Sequence, residues 1–193
     1  MTPISRLWLS FAAIGAGTIH LAVGASAPVL LMITLVGFGT AELGWGAVTL
    51  VRGRALAPGA ALFGALIPVF VWGAVATLGS GLGVPAAATG LPLQPMATAT
   101  LFDLFLAGSL ALILRRASAA PATRNAPPAP DAAVAAQPAG WRFLVALTLA
   151  ALVVSGLTTP ALAATDAGAH AVPHGSHGLP SAPTPESPAG HHH

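Results

Sequence analysis

Apolar runs over residues 7–24, 28–54, 59–78, 96–114 and 141–157 alternate with short stretches rich in Gly, Pro and Arg. A helix rises ~1.5 Å per residue, so runs of this length cross a ~30 Å hydrocarbon core. The pattern predicts five transmembrane helices. In the first run Ala13, Ala16, Gly17 and Gly24 stand at spacings that let membrane helices approach closely, and Gly39 and Gly46 do so in the second. Pro28 suits the first turn of the second helix. Pro68 predicts a kink in the third, freeing the Gly64 carbonyl. The Gly/Pro stretch 79–95 reads as a non-helical loop, and Arg115-Arg116 as the stop of the fourth span.

Between the fourth and fifth runs the Ala/Pro-rich residues 117–140 hold too little bulky apolar content to build a core. The expected fold class is therefore an all-α integral membrane protein. Residues 1–116 form a four-helix transmembrane bundle, and 117–140 a disordered linker. Residues 141–163 are a fifth, tethered transmembrane helix, and 164–193 a disordered His-rich tail.

Composition sharpens this. The chain is 55% hydrophobic and 6% charged, against about 25% charged in soluble domains, which leaves nothing to clothe a soluble surface. The lipid bilayer is the expected partner. A pI of 11.2 comes from Arg residues scattered at helix ends, with no basic aromatic face, which argues against nucleic acid. Absence of Cys excludes disulfides and thiolate metal sites. With Arg6 inside, five spans bring Arg52, Arg54, Arg115, Arg116, Arg124 and Arg142 to the same side. The positive-inside rule makes that side cytoplasmic, with the C-terminal tail outside a bacterial plasma membrane.

Three ionisable residues interrupt the apolar runs: His20, Glu42 and Asp103. Depth counted at ~1.5 Å per residue puts all three within a few ångströms of mid-membrane. Each would oppose insertion if left facing lipid, so they are expected to face inward and meet. Two carboxylates and an imidazole suit a divalent metal, a proton relay, or a structural hydrogen-bonded cluster. A bis-His haem is excluded in a monomer, because only one His lies at membrane depth. Trp45, Trp72 and Phe70 read as packing residues, and Trp8 and Trp141 as interfacial anchors.

The tail carries His170, His174 and His177, with Asp166 nearby, and ends in His191, His192 and His193. Imidazoles at this density bind Cu(II) or Zn(II) even in a flexible peptide. Gly and Pro at 168, 173, 175, 178 and 180 are expected to prevent a helix there. Arg142, the apolar run after it, and Ala161-Leu162-Ala163 also imitate a signal peptide with cleavage after Ala163.

On GTIHLAVG at 17–24, GTAELGWG at 39–46 and TTPALAATDAGAHAVPHGSHG at 158–178, the chain resembles a group of uncharacterised small polytopic membrane proteins. They belong to GC-rich Gram-positive bacteria and have four core spans, a linker and a fifth span with a His-rich end. The resemblance implies no activity. It implies that the His tail is native and that His20 and Glu42 recur. Members carry a further His or acid after the first span, where this chain has Ala25-Ser26-Ala27. The expected function is non-enzymatic: binding or handling of copper or zinc at the extracytoplasmic face. The alternatives are an accessory subunit of a larger membrane complex or homo-oligomer, and a small ion or proton transporter.

Overall fold

A computed structural model describes residues 2–83, 91–119 and 140–171. Five long helices appear there: α1 (Pro3–Gly24), α2 (Val29–Arg52), α3 (Pro58–Gly81), α4 (Leu93–Ala119) and α5 (Gly140–Ala163). A single turn, α6 (Asp166–Ala169), follows. All five long helices are long and apolar enough to cross a membrane.

Local chemistry sets the ends. Thr2 caps α1 by accepting from the Ser5 amide, with Pro3 in the first turn, where its missing N–H costs nothing. Pro28 precedes α2, and Gly53 closes it in the left-handed region (φ 73), where a side chain would be strained. Ala57 also takes a positive φ, of 41, as the chain turns into α3. The Trp45 indole N–H donates to the adjacent Leu56 carbonyl at 2.7 Å, tying this turn back to α2.

Helix α1 is the axis of the molecule. Helices α2, α4 and α5 all pack on it, while α3 leans on α4 and touches α2. Its small residues make this possible: Ala12, Ala13, Gly15, Ala16 and Gly17 are all buried, so neighbours close in from several directions. Apolar surface gains nothing by leaving lipid, so close packing of this kind is what holds membrane helices together. One core cluster, with Ile19, Val23, Leu35, Met96 and Ala161, fills the end near the α1–α2 turn. A second, with Leu9, Ala13, Ala65, Leu106 and Leu110, fills the opposite end. The described arginines stand at that opposite end, where α1 and α5 begin and α2 and α4 finish.

Several expectations need correction. The stretch 79–95 is shorter as a loop, because α3 runs to Gly81 and α4 starts at Leu93; residues 84–90 lie outside the described residues. Arg115-Arg116 does not end α4, which continues to Ala119, so three residues assigned to the linker are helical. The linker's residues 120–139 lie outside the described ones. The fifth helix is packed against α1 and α4 rather than merely tethered. It is helical through Ala161-Leu162-Ala163, and Ala161 is fully buried. The tail is ordered at its start: Thr165 is buried and caps a turn that includes Gly168. Phe70 points outward, unlike Trp72, which packs on the core.

Candidate metal centre

The site begins with two glycines. A Cβ built on Gly17 would lie 2.6 Å from the Gly39 carbonyl oxygen, and one on Gly39 would lie 2.8 Å from that of Gly17. Only glycine allows so close a backbone contact. His20 lies one turn beyond Gly17, and Glu42 one turn beyond Gly39 on a helix running the other way. Side chains on a helix tilt toward its N-terminus. His20 and Glu42 therefore lean back toward the glycine contact from opposite sides and meet. On α4, the Phe102 ring lies over Gly15, where a Cβ would come within 3.0 Å of Cε2. That contact presents the next residue, Asp103, to the same point.

His20 Nδ1 and Glu42 Oε2 are 2.8 Å apart. His20 Nε2 and Asp103 Oδ2 are 3.7 Å apart, beyond hydrogen-bond range. All three residues are buried, at 1% exposure for His20, 7% for Glu42 and 0% for Asp103. One donor atom from each lies within 4.8 Å of the others. His20 Nε2, Glu42 Oε1 and both Asp103 oxygens have no hydrogen-bond partner.

The tautomer in which Nδ1 donates to Glu42 leaves the Nε2 lone pair free, toward Asp103. This is the arrangement of a metal-binding imidazole oriented by a carboxylate. Metal–N and metal–O bonds of ~2.0–2.1 Å at a tetrahedral ion place the two donors ~3.4 Å apart. The observed 3.7 Å needs only a small closure. Two carboxylates and a neutral imidazole carry two negative charges, which a divalent cation offsets. Without a cation, the same groups have to share protons to remain in a water-poor core.

The three residues singled out by their cost in a membrane are thus brought together. Sequence reasoning missed Ser10 and Thr49, whose buried hydroxyls also lack partners on the α1–α2 seam. Of the tail histidines, His170 is exposed at the end of α6, with Nδ1 2.8 Å from the Asp166 carbonyl oxygen of its own turn. His174, His177, His191, His192 and His193 lie outside the described residues. The structure does not bring His170 to the membrane cluster. No family model, curated protein or solved structure matches the chain.

Proposed function

We propose that this protein is a non-enzymatic, metal-handling membrane protein. Its principal site holds one divalent first-row ion, zinc or copper, between α1, α2 and α4. The observation that carries the reading is the convergence of four unpartnered buried atoms on His20, Glu42 and Asp103. Leaving a buried polar group unsatisfied costs roughly 1–3 kcal/mol, and more when it is charged. A cation between His20 Nε2 and the Asp103 carboxylate satisfies the groups on those two residues at once. Imidazole and carboxylate together suit Zn(II) or Cu(II). His20 Nε2 and the Asp103 carboxylate are the assigned ligands. Glu42 orients the imidazole from the other side of the ring. The tail histidines would act as a weaker, secondary capture segment.

The test uses the full chain with His170, His174, His177 and His191–193 all replaced by Ala, which removes the tail's contribution. Equilibrium dialysis against Zn(II) in detergent should retain one ion per chain. Asp103→Asn should abolish retention, and Glu42→Gln should weaken it by about 10–100-fold while the fold persists. The ligands bind deprotonated, so loading releases protons and affinity falls as pH falls. If the tail-free chain retains no ion, or if Asp103→Asn retains as much as the parent, the cluster is a proton-sharing structural lock and the metal reading fails.

A further inference from the structure

A second feature lies away from the buried triad, at the arginine end. Helices α1 and α4 border a groove of about 980 Å³ there. Its polar rim is Thr2, Ser5, Ser109 and Arg116, and its floor is apolar, with Trp8, Leu9 and Phe105. Trp8 and Phe105 also line a smaller apolar slot of about 180 Å³, continued by Leu101, Val153 and Leu157. The slot leads from the rim down between α4 and α5. The two together have a polar, cationic mouth and a long apolar interior, which is the shape of an amphipath.

Among the described residues no acid lies at the mouth to compensate its charge. The acids among the described residues are Glu42, Asp103 and Asp166. Glu42 and Asp103 lie in the core, and Asp166 follows the far end of α5. Among the described residues no arginine forms an ion pair. Arg116 is exposed at the groove, so it meets solvent and headgroups directly. Basic pockets between transmembrane helices take anionic lipid headgroups, and Trp belongs at headgroup depth.

We propose that this groove is a binding site for one anionic phospholipid. Arg116 and the Ser109 hydroxyl receive its phosphate, and an acyl chain lies over Trp8 and Phe105 into the slot beside Val153. The site is independent of the metal centre and stands whether or not the triad binds an ion.

Native mass spectrometry of the detergent-purified full chain tests it, with phosphatidylglycerol and phosphatidylcholine as probes. One phosphatidylglycerol should be retained, at least tenfold more tightly than phosphatidylcholine. Arg116→Gln should erase that preference, and Arg142→Gln, whose arginine does not line the groove, should keep it. Val153→Trp should lower retention of both lipids by filling the slot. Excess inorganic phosphate should leave the lipid bound. Equal retention of the two lipids by the unaltered chain overturns the proposal. So does an equal effect of the two arginine substitutions, which would mean a diffuse field. Displacement by phosphate overturns the lipid assignment. Failure to retain any lipid, as when residues 120–139 of the chain itself fill the groove, overturns it as well.

Discussion

Ser10 and Thr49 keep buried hydroxyls that make no hydrogen bond. Elsewhere in the bundle Thr18, Thr34, Thr40, Thr98 and Thr158 turn theirs to the carbonyl four residues back. The α1–α2 contacts run Gly53 to Arg6, Gly46 to Ala13 and Gly39 to His20, and this register puts Thr49 level with Ser10. Neither hydroxyl is needed for the fold. Ser10→Ala and Thr49→Val should leave thermal stability in detergent unchanged or raised, because an unpaired buried group is removed at nearly constant shape. A loss of more than roughly 1 kcal/mol in either variant would show that its hydroxyl has a working partner. The contrast with the triad explains what was legible. His20, Glu42 and Asp103 stand out in sequence because a charge inside an apolar run is costly. Ser and Thr carry no such mark, since a helix ordinarily satisfies them itself. Which atom of His20 faces which carboxylate was not legible, because the three residues come from three helices and only packing sets their angles.

At the scale of the helix, α1 decides the arrangement, and its small residues were readable as a packing surface. What they could not say is how many neighbours would use it. The sequence of α5 reads as a span like any other, yet its Ala146, Ala150 and Ala161 are buried and the helix packs on α1 and α4. Arg115-Arg116 ends an apolar run but not a helix. Arginine ends an apolar run without interrupting backbone hydrogen bonding, so α4 reaches Ala119. The same reason carries α5 through Thr158 and Thr159. The close α1–α2 contact yields a paired prediction. In an open helical site Gly→Ala stabilises by up to about 1 kcal/mol. Gly37 and Gly44 meet nothing within 4 Å, so Ala at either should be neutral or stabilising. Gly39→Ala should lower the unfolding temperature, because its Cβ meets the Gly17 carbonyl oxygen at 2.8 Å and the His20 Cβ at 3.1 Å. The same change should weaken metal retention by moving His20 from Glu42. Equal unfolding temperatures for Gly39→Ala and Gly44→Ala would refute this account of how the site is positioned.

For the whole molecule, five helices are each long and apolar enough to span a membrane, a single buried ionisable cluster lies among the described residues between α1, α2 and α4, and the described arginines collect at one end. Bulk charge balance explains neither feature: the formal net charge is only +2. Position matters more than total, with Glu42 and Asp103 in the core and the described arginines at the rim. The central claim is that the core acids and His20 hold a metal ion, and its signature is the number of imidazoles bound. Among the described histidines only His20 is buried with the carboxylates, whereas a site built by the tail would draw on several histidines. X-ray absorption on the Zn(II)-loaded, tail-free full chain counts them directly. The account predicts one imidazole nitrogen at about 2.0–2.1 Å together with oxygen ligands at about 2.0–2.2 Å. Two or more imidazoles per zinc, or none, would contradict it.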